Sequence, residues 1–509
     1  MNNSTRQLFN QSQQSLGLSI DVCADLQALL TFLPNCEWDL ISFMLDKKAW
    51  INNGTPPSPP PGYNAIESSV DFGLFPYWIN NPSLINDVTL RNYILGLKPW
   101  EYILLKILVP TSMNATNYAV LTNLKAPLIY YDGSVISTIT FATYDQGWFT
   151  AFYNMVQTLI NSWWYNNGTF PLPANPTPIP LSGTNANTIT IAMLGDWGSG
   201  DAGAIAAMNM VKNLNPDYII HVGDVYYAGT PLATDPNGKS YIGPGQEQNN
   251  LVNLWPATDK NGNSYTGRSF TLNSNHEMYT GGNGLFLDAL KAKATPPGSG
   301  SVFAAQKGMS CFALSYGGWT ILGLDSAFNA EVTNAFMYGS LDGNTPVQIP
   351  WIQQLGLTPQ QTIVLTHHTG FAFDCSSSYT LWNQVQSALG ADPYAWYWGH
   401  VHSGIVYSDT VNIPVSPNQK TPFSTNTYAR CLGHSGLPYG YATTLEGNSN
   451  VAWQVAQGSN PLPTGLLPNG FVLLTLQTGS NGVLNKITEA FYDTGTSAQP
   501  TFTKVIYNG

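Results

Sequence analysis

Five short segments, each at or just after an apolar run, constrain this chain more than any other feature: Gly195-Asp196-Trp197-Gly198, Gly223-Asp224-Val225-Tyr226-Tyr227, Asn275-His276-Glu277, Val364-Leu365-Thr366-His367 and Gly399-His400-Val401-His402. The apolar runs read as strands at 189–194, 218–222, 320–324, 362–366 and 395–398, and a helix over 202–214 makes a βαβ unit of the first two. Strands alternating with helices indicate an α/β fold, and the tail at 470–477 and 487–492 reads as a closing hairpin. In open α/β sheets, ligands gather at the carboxyl ends of strands. Side chains delivered there from separate strands therefore converge on one cleft. Carboxylate, phenol, amide and imidazole ligands together suit iron, manganese or zinc. The glycines beside Asp196, Asp224 and His400 let the backbone turn sharply and leave room for metals and phosphate.

The histidines concentrate the argument. All seven (His221, His276, His367, His368, His400, His402 and His434) lie beyond residue 186, and four fall inside the five segments. A random scatter would put more than a third of them in the first 185 residues.

The ordered set GDxG, GDxxY, NH[D/E], VxxH and GHxH resembles the purple acid phosphatases within the calcineurin-like metallophosphoesterases, and it spans most of the chain after residue 186. The resemblance implies a sandwich of two mixed β-sheets flanked by helices. It also implies that Asp196, Tyr227 and His402 bind one metal, that Asn275, His367 and His400 bind a second, and that Asp224 bridges them. His276 is then the acid beside the centre, steadied by Glu277. Ser274 departs from the glycine usual in this motif, a small change expected to tighten the geometry. A phenolate is a hard anionic ligand, so iron(III) is expected at the Asp196/Tyr227/His402 site, with Fe(II), Zn or Mn at the other. Relatives outside the purple branch often carry histidine two residues after the first aspartate, where this chain has Gly198. Tyr226 stands next to the tyrosine in question; the GDxxY spacing selects Tyr227.

The activity implied is hydrolysis of a small phosphorylated substrate by a metal-bound hydroxide attacking in line, with inversion at phosphorus. A phosphomonoesterase is expected. A phosphodiesterase or nucleotide pyrophosphatase using the same centre stays open, because metal ligands do not reveal ester type. A further alternative is an inactive scaffold that binds glycan or membrane through the N-terminal aromatics.

The rest of the chain carries less chemistry. At about 150 residues per domain, 509 residues suggest two or three domains. The stretch 171–188, rich in Pro, Asn and Thr, reads as a linker between an N-terminal region, 1–185, and a catalytic domain, 186–509. The N-terminal region reads as largely helical, with helix expected over 21–45, broken near Pro34, and an aromatic-faced helix carrying Trp148, Phe149, Phe152, Tyr153, Trp163 and Trp164. An aromatic helix face is usually core packing. PPSPPPG at 56–62 reads as an extended surface loop.

A net charge of -11 argues against a nucleic-acid partner. Residues 1–16 lack the layout of a secretory signal, and the apolar run 102–110, broken by Lys106, is too short to span a bilayer, so a cytoplasmic or unconventionally exported protein is expected. Five cysteines without paired spacing indicate neither a disulfide framework nor a zinc ribbon, although Cys23 and Cys36 are near enough in sequence to pair. An internal echo, Asp235-Pro-Asn-Gly-Lys-Ser-Tyr241 and Asp259-Lys-Asn-Gly-Asn-Ser-Tyr265, reads as two hairpin turns, since neither copy continues into the acidic ligands of a calcium loop. His221 reads as a buried strand residue and His368 as a neighbour of the metal ligands. His434 is read equally as a phosphate contact or a structural residue. Gln348, Trp351 and Leu355 read as the packed face of a helix.

Overall fold

Alternating apolar residues on short strands build two sheets that press their inner faces together. The structure is a computed structural model; it describes residues 151–158 in part and 162–509, apart from 173–176, 233–240, 242, 333–334, 344–345, 415–421, 438–444, 446, 456–467 and 495–498. In chain order the strands are β1 (Ile179–Pro180), β2 (Thr188–Leu194), β3 (Tyr218–His221), β4 (Ser269–Thr271), β5 (Phe312–Tyr316), β6 (Trp319–Gly323), β7 (Thr362–Thr366) and β8 (Ala395–Trp398). They continue as β9 (Gly404–Tyr407), β10 (Val411–Ile413), β11 (Phe423–Thr425), β12 (Tyr428–Leu432), β13 (Val451–Gln454), β14 (Gly470–Thr478), β15 (Leu484–Asp493) and β16 (Phe502–Asn508).

One large sheet runs β16-β15-β14-β2-β3-β4 and the other β1-β5-β6-β7-β8-β12-β9-β13, with β10 and β11 forming a separate two-stranded sheet. Both are mixed: β2-β3-β4 and β6-β7-β8-β12 are parallel, while β14 and β15 pair as the expected antiparallel hairpin.

The period of two along each strand decides what lies where. Ile189, Ile191 and Met193 of β2, Ile363 and Leu365 of β7, and Ala395 and Tyr397 of β8 share the inter-sheet core. Ala192, Leu194, Val364, Trp396 and Trp398 point the other way, into the core beneath the helices. Helix α1 (Ala202–Leu214) crosses between β2 and β3, begun by Asp201, whose Oδ1 accepts from Ala204 N at 2.8 Å, and ended by Asn215 in the left-handed conformation. It has the bounds expected from the sequence.

A buried charged clamp ties the sheets together. The guanidinium of Arg430 on β12 donates from Nε to both oxygens of Glu489 on β15, at 2.8 and 2.9 Å, and the Tyr397 hydroxyl donates to the same carboxylate at 2.7 Å. All three side chains are excluded from solvent.

The stretch read as a linker takes part in the sandwich. Ile179 and Pro180 form the edge strand paired with β5. Just upstream, the chain is helical in the described part of 151–158, and Thr158 Oγ1 donates to Tyr279 O at 2.9 Å. Tyr165 N donates to Gly281 O at 2.9 Å, Tyr165 stacks on Phe286 at 4.2 Å, and Trp164 meets Phe336 edge-on at 6.0 Å. Of the six aromatics read as one helix face, Trp163 and Trp164 lie in a non-helical, half-buried stretch, Trp164 packing against the core, while Trp148, Phe149, Phe152 and Tyr153 lie outside the described residues. The helix expected over 21–45, the loop at 56–62, the run at 102–110 and the Cys23–Cys36 pairing lie outside the described residues.

At 259–265 the second copy of the echo is a turn. Asp259 spends its carboxylate on Asn261 N, Asn263 N, Asn263 Nδ2 and Arg268, which leaves no calcium geometry. Most of the first copy is outside the described residues. Helix α2 (Asn275–Met278) follows β4; α3 (Gln348–Gln354) buries Gln348, Trp351 and Ile352, and α4 (Thr380–Leu389) lies against it. No helix among the described residues is long and apolar enough to cross a membrane.

Candidate metal centre

The loops that leave the carboxyl ends of parallel strands β2, β3, β7 and β8, with the turn after β4, bring the predicted residues to one place. Backbone bonds fix the loops to each other. Asp196 N donates to Gly223 O at 3.0 Å, Gly198 N to Asp224 O at 3.0 Å, and Gly399 N to His367 O at 3.1 Å. Asp196, Asp224 and His400 all adopt positive φ, at 57°, 79° and 65°. Left-handed backbone costs an L-residue roughly 1–2 kcal/mol, and three ligand-type residues share it here because the strand ends must turn to aim their side chains inward. Gly399 makes that close approach possible: a Cβ there would lie 2.4 Å from Asp196 Oδ2.

Asn275, His367 and His400 form one half. His367 Nδ1 donates to Val222 O at 3.0 Å and His400 Nε2 to Met337 O at 3.1 Å, so each ring carries its proton on the far nitrogen. Burial pushes His367 down to about 3, against the opposing pull of Asp224, and burial, then the repulsion that a protonated His367 would exert, hold His400 well below the ordinary imidazole range. The near nitrogens, His367 Nε2 and His400 Nδ1, lie 3.2 Å apart and 2.8 and 3.2 Å from Asn275 Oδ1. That oxygen faces inward because Asn275 Nδ2 donates to Tyr279 OH at 3.3 Å. Three lone pairs thus converge with no proton among them, a donor set that repels itself unless a cation holds it.

Asp196, His402 and a tyrosine form the other half. Asp196 accepts His400 N at 3.0 and 2.9 Å, and His402 Nε2 lies 3.5 Å from Asp196 Oδ1. The phenol in this half belongs to Tyr226, whose hydroxyl donates to Asp224 Oδ2 at 2.7 Å and lies 3.0 Å from His402 Nε2 and 3.4 Å from Asp196 Oδ1. Tyr227, the residue selected by spacing, presents its carbonyl, which accepts from His276 Nδ1 at 2.7 Å.

Asp224 stands between the halves. Its Oδ1 is 3.1 Å from His367 Nε2 and is buried without a hydrogen bond, while Oδ2 faces Tyr226, His402 and, at 3.8 Å, His276 Nε2. Burial and the adjacent Asp224 push Asp196 well above the usual carboxylate range in the protein alone, a conflict that bound cations relieve. Asp224 itself is held well below that range, its burial outweighed by His367 and His276.

Ser274 begins α2, its Oγ accepting His276 N at 3.1 Å and donating to Glu277 Oε2. Burial, then the Asp224 charge, push Glu277 up to about 8. The serine that departs from the expected glycine therefore anchors the His276 turn through Glu277.

Residues 189–404 match the family model described as calcineurin-like phosphoesterase. The five segments all fall inside this phosphoesterase match, whereas the clamp residues Arg430 and Glu489 and the hairpin β14-β15 lie beyond it. One solved structure, that of GAP50, the anchor in the inner membrane complex of Plasmodium, resembles this chain with a TM-score of 0.39 and 14% identity, covering 64% of this chain and 90% of that one. A likeness of that strength bears on neither mechanism nor partners. No curated protein matches the sequence.

The remaining sequence candidates lie around the candidate metal centre. His368 is buried behind His400, its ring 4.6 Å away, with Nδ1 2.9 Å from Ser326 Oγ and Nε2 donating to Phe336 O at 2.7 Å. His221 is buried at the end of β3 beside Thr271 Oγ1, as read. His434 is buried with Nε2 3.6 Å from Asp493 Oδ1. Sequence reasoning missed the carbonyls of Val222 and Met337 that orient His367 and His400; a backbone acceptor leaves no residue-type signal.

Proposed function

We propose that the protein hydrolyses phosphate esters with two metal ions, one held by Asp196, His402 and a tyrosine, the other by Asn275, His367 and His400, with Asp224 shared. The observation that carries this reading is the placement of Asp224, whose two oxygens face the two halves separately. Bound there, two divalent or trivalent ions supply a nucleophilic water of lowered pKa and offset phosphoryl charge. The chain's own groups do the rest. His367 and His400 keep their lone pairs inward because their other nitrogens are engaged by carbonyls. The Tyr227 carbonyl fixes His276 Nδ1, so Nε2 is the nitrogen turned toward Asp224 and the place where a proton is held for the departing ester oxygen.

The finer assignment, to the purple acid phosphatase-like branch with a ferric ion and a phosphomonoester substrate, draws on two features. A phenol oxygen lies in the first half, and Gly198 fills the position where other branches carry histidine. A Cβ at Gly198 would lie 2.6 Å from Asp224 O, so this backbone admits no side chain there. The test compares purified protein, loaded with iron and zinc, on nitrophenyl phosphate and bis-nitrophenyl phosphate. Faster monoester turnover, abolished by a chelator, is expected; a protein carrying two ions that cleaves neither ester contradicts the proposal.

A further inference from the structure

We infer that the segment 163–170, which lies ahead of the phosphoesterase match at 189–404, supports one half of the metal centre, and that Trp164 is a positioning residue for the ion among Asn275, His367 and His400. This inference rests on the two-metal reading above. The segment and the helical turn before it hold two loops that aim those ligands. The first is the turn after α2. Thr158 Oγ1 donates to Tyr279 O at 2.9 Å, Tyr165 N to Gly281 O at 2.9 Å, and Asn283 Nδ2 to Trp163 O at 2.5 Å. The approach is close enough to demand glycine: a Cβ on Gly281, at φ 68°, would lie 2.4 Å from Trp163 O. Tyr279, fixed through its carbonyl, accepts Asn275 Nδ2 on its hydroxyl and so keeps Asn275 Oδ1 turned inward.

The second loop runs between β6 and α3. Ala335 and Phe336 both take left-handed φ, 54° and 60°, a conformation that a bulky aromatic keeps only where its surroundings hold it. That bend turns two successive carbonyls toward the histidines: Phe336 O accepts His368 Nε2 at 2.7 Å, and Met337 O accepts His400 Nε2 at 3.1 Å. The buried Phe336 ring meets Trp164 edge-on at 6.0 Å and Tyr279 at 6.3 Å, so one aromatic row joins the two loops and Trp164 ends it. Without the indole, the bend at Phe336 relaxes and the Met337 carbonyl no longer fixes the His400 ring. Asp196 and Asp224 are held instead by the backbone bonds between the loops after β2 and β3. Loss of Trp164 therefore acts on one ion and spares the other.

The test is a zinc titration of the metal-free full chain in two backgrounds that each keep one half. In His402→Ala the remaining ion lies among Asn275, His367 and His400; in His400→Ala it lies beside Asp196 and His402. Adding Trp164→Ala is expected to weaken zinc by about 10-fold in the first background and to leave it within about twofold in the second, with Trp164→Phe restoring most of the loss. Glu489→Ala, which loosens the fold at the sheet clamp, is expected to move neither. Thr158→Val removes only the hydroxyl that Tyr279 O accepts; it should weaken the same ion, and it decides the matter if Trp164→Ala does not fold. Equal weakening in both backgrounds, or none in either, overturns the inference and leaves the two-metal reading intact; a wild type that takes up fewer than two zinc ions overturns both.

Discussion

Asp224 Oδ1 lies 3.1 Å from His367 Nε2 while its Oδ2 accepts from Tyr226 at 2.7 Å, so one carboxylate faces both halves of the centre. Asp224→Asn keeps the shape but removes the charge that both ions share. Metal content measured by elemental analysis is expected to fall from about two ions per chain toward none, with ester hydrolysis at background. Retention of two ions would remove the bridging role.

His276 touches the centre from the side, held by Ser274 Oγ through its backbone N–H and by the Tyr227 carbonyl through its ring. His276→Ala is expected to keep both metals and to lower kcat by about 10²- to 10⁴-fold, with KM changed far less. Steady-state kinetics on a poor and a good leaving group check this: the loss should be larger for the poor one.

Gly399 leaves the space that Asp196 Oδ2 fills. Gly399→Ala is expected to weaken binding at the Asp196/His402 half by roughly 10- to 100-fold, read by metal titration, with the Asn275/His367/His400 half less affected.

Much of this was readable in advance, for a physical reason. Helix 202–214 and strands 362–366 and 395–398 have the bounds the sequence suggested, because Asp201 and Asn215 cap the helix and both strands are fully buried apolar runs. β4, only three residues with serine and threonine at its ends, gives no periodic signal, yet it delivers Asn275 and His276. Tyr226 and Tyr227 are chemically identical neighbours; only the path of the main chain decides which ring points inward. The Arg430–Glu489 pair is 59 residues apart and appears only once the sheets are stacked.

That pair makes a separate prediction about stability. Removing one partner strands a buried charge, so Glu489→Ala is expected to cost about 3–5 kcal/mol in chemical denaturation. Metal content per folded molecule should stay at the wild-type level, since the clamp touches none of the ligands.

His221 supplies a pH signature. Burial, opposed by Asp224, pushes it down to about 3 from an ordinary 6.5, so the unfolded chain takes up the proton more readily. Its contribution is fully present above 6.5 and is lost as pH falls toward 3, at about 1.4 kcal/mol per pH unit. Denaturation curves for wild type and His221→Phe should therefore differ in slope by that amount across the window; parallel curves would contradict the buried, neutral histidine.

The central claim is tested most directly by anomalous X-ray scattering from crystals of the metal-loaded protein. Two peaks about 3.5–4 Å apart are expected, one beside Asp196 and His402, the other among Asn275, His367 and His400, with one Asp224 oxygen within bonding distance of each. A single peak, or two peaks of which Asp224 reaches only one, would contradict it.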